Sequence, residues 1–418
     1  MRRGIKKQLR PPRCYSRAMR VLVAPDKFKG SLTAREAARA MAEGVRLAVP
    51  VARAVTCPVA DGGEGTVDAV VAATGVRERR KVVRGLLPGQ EVEARWVYLP
   101  PGALDKSGFE GELSGVLSTG ECAAVIEMAQ ASGLSPEEGL RDPMSASTVG
   151  TGELIVEALE SGCRQIVVGM GGSGTVDGGT GMAVALGYRF LDANGGELAP
   201  GGLSLSSIRS IDVSGSDPRL AETAFIAACD VDNLLLGEQG AARVYGPQKG
   251  ASPGQVEALE RGLANMGELL KRELCVDVLQ SPGAGAAGGL GAGLLAFCGA
   301  RPISGFGFVA AVLGLRKKAV AADLVLTGEG SFDSQTARGK APAGVVAIAS
   351  GAGVPVVVVA GSLRGDFQGG SDGVAEYCVL PGPIGVEKAM RNADELVRLG
   401  TARLMRLIQL LPDRRGHE

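Results

Sequence analysis

The sequence predicts an α/β protein made of two α/β units, and three observations carry that prediction. Short runs such as "IVV" (166–168) in "QIVV", "LVL" (324–326) and "VVVV" (356–359) are apolar throughout, as strands buried on both faces of a parallel sheet are. Each is followed by a segment that reads as helix, the βαβ alternation that builds parallel sheets. The 418 residues, 45% of them hydrophobic, exceed what one core ordinarily serves and exclude disorder for most of the length.

Taken in order, residues 1–18 read as a disordered basic extension or a targeting segment. The first 20 residues hold eight Arg or Lys and no acid, but no apolar region of the kind a secretory leader has. A start at Met19 would place "RVLVAP" as an ordinary first strand, and "SLTAREAARAMAEGVRLAV" follows with helical spacing and Ser31 or Thr33 as its N-cap. Residues 77–99 alternate charged and apolar positions and predict a hairpin, and 100–117 predicts a loop. That shift marks the entry to an inserted domain. The expected organisation is a discontinuous first domain, 19–76 with 300–418, and an inserted second domain, 77–299. The later strands are "RQIVVG", "TAFIAACD", "ADLVLTGEG" and "VPVVVVAGS".

Composition removes several function classes. Lys and Arg number 45 and Asp and Glu 45, so no global field points to nucleic acid or a membrane surface. No apolar run approaches the length of a membrane span. The eight cysteines never fall in C-x-x-C spacing, which leaves a reducing cytoplasm as the expected location. The one histidine, His417, is the penultimate residue, so a Ser-His-Asp triad, an H-E-x-x-H zinc site and an H-R-D kinase loop are excluded. Acid–base work falls to carboxylates, lysines or water.

The 64 glycines gather in clusters between apolar runs. Glycines let backbone N–H groups approach phosphate oxygens closely. Two clusters match G-x-G-x-x-G: Gly169, Gly171 and Gly174, and Gly283, Gly285 and Gly288. An NAD-linked hydroxy-acid oxidoreductase is therefore one alternative. Its context is poor, because Gly178, Gly179 and Gly181 prevent a helix from starting within the first match, and Asp192 sits in the turn-like "LDANGG". A non-catalytic phosphate-ligand binding protein is the other alternative. A Walker A loop fails at Ala341, which stands where a Ser or Thr should reach magnesium, although Lys340 remains a candidate phosphate contact.

The other clusters combine glycine with charge: "APDKFKGS", "VADGGEGT", "SASTVGTGEL", "GSGTVDGG", "CDVDN", "GPQKGA" and "TGEGSFDSQT". Several directly follow an apolar run, at the strand ends where open α/β sheets bind ligands. Carboxylates for magnesium and for a hydroxyl proton, with lysines against phosphate charge, are the inventory of phosphoryl transfer.

In sequence order, "VLVAPDKFKGSLTA", "PVADGGEGT", "AVIEMAQASGL", "STVGTGELI", "VVGMGGSGTVDGGTGM", "ACDVDNLLLG", "GPQKGA", "DLVLTGEGSFDSQTARGKAPAGVV" and "VVVVAGS" resemble the bacterial glycerate kinase family, from about Met19 to Gly382. The resemblance implies ATP-dependent phosphorylation of D-glycerate with Mg2+, the 2-phosphoglycerate product more than the 3-. It implies a flavodoxin-like parallel sheet in one domain, a restriction-endonuclease-like core in the inserted one, and an active site in the cleft between them. It implies small-molecule partners only, with room for a homo-oligomer. This chain departs from the family pattern at Gly174, Val176 and Leu234, where Ala, Asn and Pro are common, and in "GLLPG". The roles expected on this basis are Lys27 and Ser31, with Lys29, gripping glycerate, and Asp26 orienting them. Asp177 is the first expectation for the base and Asp61 the second. Asp230 and Asp333 are expected at the metal, and Gly62, Gly63, Gly171, Gly172, Ser173 and Gly328 at phosphate.

Overall fold

A computed structural model describes residues 18–105, 117–333, 341–364 and 373–410. The basic extension up to residue 17, Lys340 and His417 lie outside those residues, as does the side chain of Asp333.

The chain divides into two compact units, Met1–Pro58 with Arg316–Arg338 and Pro342–Glu418, and Val59–Leu315 with Gly339–Ala341. The expected insertion, 77–299, lies inside the second unit, whose edges run wider on both sides because the segment around "DGGEGT" and the helix before "RKK" belong to it.

The first unit begins with β1 (Arg20–Val23), α1 (Ala34–Ala48) and β2 (Arg53–Thr56). Of the two candidate caps, Thr33 is the N-cap of α1: its hydroxyl accepts from the Glu36 N–H, and the Glu36 carboxylate accepts from the Thr33 N–H in return. Ser31 instead donates to the Phe28 carbonyl at 3.0 Å.

The second unit runs through α2 (Thr66–Thr74), β3 (Glu78–Arg84), β4 (Glu91–Leu99), β5 (Ala123–Glu127), α3 (Ala129–Ser132), α4 (Val149–Glu160), β6 (Gln165–Gly169), α5 (Thr180–Ala185), β7 (Arg189–Leu191), β8 (Ser210–Asp212), β9 (Ala224–Ala228), α6 (Ala241–Tyr245), α7 (Pro253–Glu273), α8 (Ala286–Cys298), β10 (Arg301–Ile303) and α9 (Gly305–Val312). Its main sheet has the order β10-β9-β6-β5-β4-β3. The strands from β5 to β10 are parallel, and the expected hairpin appears as β3 and β4, antiparallel with Glu78 opposite Val97. The charged face of that hairpin is held by Arg95, which reaches Glu78 at 2.9 Å and Asp68 of α2 at 3.0 Å. The core gathers Trp96, Ile126, Leu154, Ile155, Val168, Leu259, Leu263 and Leu290.

The chain then re-enters the first unit with α10 (Leu315–Val320), β11 (Leu324–Asp333), α11 (Ala341–Gly351), β12 (Val356–Arg364), β13 (Val374–Cys378), α12 (Val386–Arg391) and α13 (Ala393–Leu410). All five strands of this unit are parallel in the order β13-β12-β11-β1-β2. Counted within the unit that order is 2-1-3-4-5, the doubly wound arrangement of the flavodoxin type. Alternate residues of β12 feed the two faces. Val357 and Val359 join the core under α1 and α13, while Val358 and Ala360 pack with Phe332 and with Val346 of α11. Gly44 lets α1 approach α13 closely, since a methyl there would stand 2.8 Å from the Thr401 side chain.

Gly328, expected at phosphate, has another task. It is buried within β11 opposite Val359, and a methyl at this position would run into the Val359 carbonyl. Its own carbonyl accepts from the Asp26 N–H at 2.9 Å and so sets the start of the loop after β1. Gly328→Ala is expected to cost about 1–3 kcal/mol, the usual effect of forcing atoms into a filled core. Thermal unfolding of wild type and variant measures it, and an unchanged Tm would remove the steric role.

Candidate active site

In the second unit, β6, β9 and β10 are parallel neighbours and end together at Gly169, Ala228 and Ile303. The carboxyl ends of such strands are where open α/β sheets place ligands. Three loops converge there, and glycine is what lets them. A methyl on Gly62 would stand 2.9 Å from both the Ala228 carbonyl and the Gly305 Cα. A methyl on Gly63 would stand 3.0 Å from the Gly171 Cα, and one on Gly169 would strike the Gly62 carbonyl. The "DGG" of 61–63 and the "GMGG" of 169–172 therefore lie backbone against backbone. Gly171 packs on Gly63, and Gly172 is the exposed part of the second loop, with φ 79°, a left-handed conformation suited to glycine.

Two carboxylates sit beside this glycine surface. Asp61 is partly exposed, and its Oδ1 accepts from the Gly63 N–H at 3.2 Å. Asp230 accepts from the Ser304 hydroxyl at 2.6 Å and from the Phe306 N–H at 2.9 Å, at the start of α9. Burial raises the pKa of Asp230; these donors oppose the rise, and the charge of Asp61 adds to it. Two neighbouring acids at the end of a sheet suit a divalent cation or a proton relay better than a structural ion pair.

Asp177 lies in the same segment but does different work. It is fully buried, and it accepts four hydrogen bonds: from the Thr148 N–H and hydroxyl at 2.8 Å each, from the Gly179 N–H at 3.1 Å and from the Gly181 N–H at 3.2 Å. Thr148 precedes α4 and Gly179 precedes α5, so one side chain ties two helix starts to the loop. Burial pushes its pKa up and the four donors pull against that. A sealed carboxylate with its acceptor capacity in use touches no substrate hydroxyl in this arrangement. The expectation of Asp177 as the base gives way to an anchoring role, leaving Asp61 as the accessible carboxylate.

Lys249, within the quoted "GPQKGA" but given no role from sequence, proves central. It is 1% exposed, and its Nζ donates to the Ser173 hydroxyl at 2.8 Å and to the Thr175 carbonyl at 2.7 Å. Burial lowers its pKa to about 7, against the attraction of Asp177. The phosphate-loop candidate Ser173 thus rests on a buried amine. The only signal in the sequence was a lysine set between Gly246 and Gly250, which a surface turn shares.

Glu127 was also missed. This lone acid ends the apolar run of β5, is 1% exposed, and accepts from the Val67 N–H at 2.6 Å and from the Gln130 amide at 3.1 Å. It fixes the first turn of α2, immediately after the Asp61–Gly65 loop.

The second G-x-G-x-x-G run is not a ligand loop. Ala287, Gly288 and Gly289 take left-handed φ values of 53°, 69° and 90°, kinking α8. The Gly288 carbonyl accepts from the Gly178 N–H at 3.1 Å, and a methyl on Gly293 would meet the Gly178 carbonyl at 2.8 Å. These glycines back the first loop. In that loop α5 begins only at Thr180, after left-handed Gly178 and Gly179, and Asp192 closes a turn by accepting from Asn194 and Gly196 at 2.8 Å each. The nicotinamide reading loses both of its motifs.

In the first unit, Asp26 is 5% exposed and its Oδ1 accepts from the Lys27 N–H at 2.7 Å. Lys29 is exposed, and Lys29 and Ser31 line a cavity of about 280 Å3. Of the remaining expected residues, Asp333 ends β11 with its side chain outside the described residues, and Lys340 lies outside them entirely.

A parallel sheet whose strand ends carry glycine backbone and paired acids defines a phosphate-handling α/β enzyme. The comparisons narrow the class. Residues 21–409 match the Glycerate kinase family. The chain is 45% identical over 381 residues to the Glycerate 2-kinase of Escherichia coli (strain K12), covering 90% of this chain and 94% of that protein. It is 42% identical over 383 residues to the Glycerate kinase of Bacillus subtilis (strain 168), again covering 90% and 94%. A crystal structure from Salmonella typhimurium LT2, assigned as a glycerate kinase 2, superposes with a TM-score of 0.74 at 42% identity, covering 94% of this chain and 98% of that one. The chain belongs to the glycerate kinase family, a family of phosphotransferases. No helix among the described residues is long and apolar enough to cross a membrane.

Two substitutions test the anchors. Asp177→Asn turns an NH2 toward backbone N–H donors and is expected to cost about 1–3 kcal/mol, read as a lower Tm. For Lys249 the folded pKa of about 7 lies below the ordinary lysine value of 10.5. The folded state therefore disfavours the charged amine, fully so below pH 7, and that penalty fades as pH rises from about 7 toward 10.5. Measured against Lys249→Met, wild type should gain stability across that window, and parallel stability curves would show that the amine is not desolvated.

Proposed function

We propose that the chain phosphorylates D-glycerate with ATP to give 2-phosphoglycerate, using Mg2+. The observation that supports this best is the placing of Asp61 and Asp230 over the glycine surface of residues 62–63 and 171–172. The 2-position is favoured by the name of the E. coli relative, to which nearly the whole chain aligns.

Asp61, accessible and close to the glycine backbone, accepts the proton of the attacking hydroxyl; a well-placed base of this kind contributes on the order of 10²–10⁴ in rate. Gly62, Gly63, Gly171, Gly172 and Ser173 present backbone and hydroxyl donors to phosphate oxygens. Lys249 and Asp177 hold that loop in place without touching the reactants. On the loop after β1, Lys27, Lys29 and Ser31 supply cationic and hydroxyl donors for the anionic reactants, and Asp26 orients Lys27 through its backbone.

The donor set fits magnesium. Among the described residues no three His, Cys, Asp or Glu gather as a metal cluster, but Mg2+ is commonly held by one or two carboxylates with phosphate and water completing the shell. Asp230, already oriented by Ser304 and Phe306, would hold the ion, with Asp333 as a further candidate. When bound, the ion neutralises charge on the transferring phosphoryl group. The nucleotide cosubstrate makes the cytoplasm the working compartment.

ADP release with D-glycerate and Mg-ATP, followed by NMR of the product, tests the reaction and its regiochemistry. Asp61→Asn should lower kcat by on the order of 10²–10⁴ with Tm unchanged. Asp230→Asn should raise the Mg2+ concentration needed for half-maximal rate. A fully active Asp61→Asn enzyme would take the base assignment away.

A further inference from the structure

The cavity in the first unit lies at the carboxyl ends of β11 and β12, between the loop after β1 and the segment that follows β13, on the edge of the sheet where doubly wound folds bind ligands. Its volume is about 280 Å3. The walls are apolar on several sides: Phe28 from the loop after β1, Val379 and Leu380 after β13, and Ile384, Met390 and Leu396 from the segment that forms α12 and opens α13. The polar groups are few. Ser331 and Ser362 meet at 3.0 Å between their hydroxyls at the ends of β11 and β12, Ser31 lies on the loop after β1, and exposed Lys29 stands on the rim. Gly330 and Gly361 face each other there, and a methyl on Gly361 would stand 2.6 Å from the Gly330 carbonyl. The glycines let β11, β12 and the loop after β1 approach through their backbones, since a methyl on Gly330 would in turn stand 3.4 Å from the Lys29 backbone nitrogen.

This lining selects among the reactants. A three-carbon acid bears a carboxylate and two hydroxyls, would fill a fraction of the volume, and would lose much of its hydration against aliphatic walls. A flat heterocycle gains from the same walls and needs only a few polar contacts at its edge. Met390 adapts its shape to such a face.

We propose that this cavity receives the adenosine portion of the nucleotide. The purine lies against Phe28, Leu380, Ile384 and Met390, the Ser331–Ser362 pair meets its polar edge, and Lys29 meets the phosphate charge at the rim. The inference rests on the kinase reading, and it moves Lys29 and Ser31 from the glycerate to the nucleotide.

The test is ADP binding by titration calorimetry, with steady-state kinetics, on the full chain and two variants. Ile384→Trp fills the cavity from its partly exposed wall, and Ser362→Ala removes a polar contact without adding bulk. The expected result for Ile384→Trp is an ADP Kd and an ATP KM raised about tenfold, with the glycerate KM within about twofold of wild type. Ser362→Ala should shift the same two constants by a smaller factor, and it serves as the measurement if the tryptophan variant does not fold. A glycerate KM that rises alone or in step with the ATP KM, or an unchanged ADP Kd, overturns the proposal. A wild-type chain that binds ADP but leaves D-glycerate unphosphorylated defeats the kinase reading. If Ile384→Trp still weakens ADP in that case, the nucleotide cavity stands.

Discussion

Asp177 places an ionisable group where no water reaches it, and burial of that kind works against its charge. Donors from Thr148, Gly179 and Gly181 answer it, and the carboxylate joins them at one point. Two helices thereby start at fixed points, and the loop between Gly169 and Asp177 has a fixed end. Lys249 supplies the second constraint from below, through Ser173 and Thr175. Because burial raises the Asp177 pKa and lowers that of Lys249, neither group is there for its own contribution to stability at neutral pH. What the pair provides is a loop with one shape, and an anion site built of backbone donors needs that more than it needs added stability.

The same loop explains the unusual glycine content. Around it, chain segments touch through their backbones: 62–63 on 169–171, and 178–179 on 288–293. A side chain at most of these positions would hold the segments apart. Glycine density at such a place looks like a nucleotide fingerprint when read as text, because both arise from close backbone approach. The difference lies in what does the approaching. At Gly172 the loop remains open; at Gly288 and Gly293 another segment of protein already fills the space. Linear spacing does not distinguish these cases.

Much of the fold could be read from the residues. Runs of Val and Ile marked the parallel strands, charge alternation marked the β3–β4 hairpin, and the start of α1 was marked by two candidate caps, Ser31 and Thr33, of which the structure selects Thr33. The site was legible as a set of loops but not as a set of roles. Asp61 and Asp177 look alike in sequence, each an acid beside a pair of glycines, yet one is accessible and the other sealed; the difference comes from Thr148, nearly thirty residues away. Gly328 sits between a Thr and a Glu in a motif that resembles a ligand loop, but its place inside β11 is set by its neighbour Val359. Lys249 and Glu127 gave weak signals because a buried charge and a solvated one use the same letter.

The connectivity of the first unit carries a consequence for how the chain is made. Strand β1, second from the edge of its sheet, pairs on one side with β2, which follows within about thirty residues, and on the other with β11, about three hundred residues later. As the polypeptide leaves the ribosome, the whole of the second unit is complete before β1 can meet its second neighbour. Domains generally fold as units and in order of emergence. Here the first segment to appear is among the last to be finished, waiting as a two-stranded fragment with one open edge. Completion of this sheet therefore follows synthesis of the inserted portion, whatever the local stability of β1 and β2.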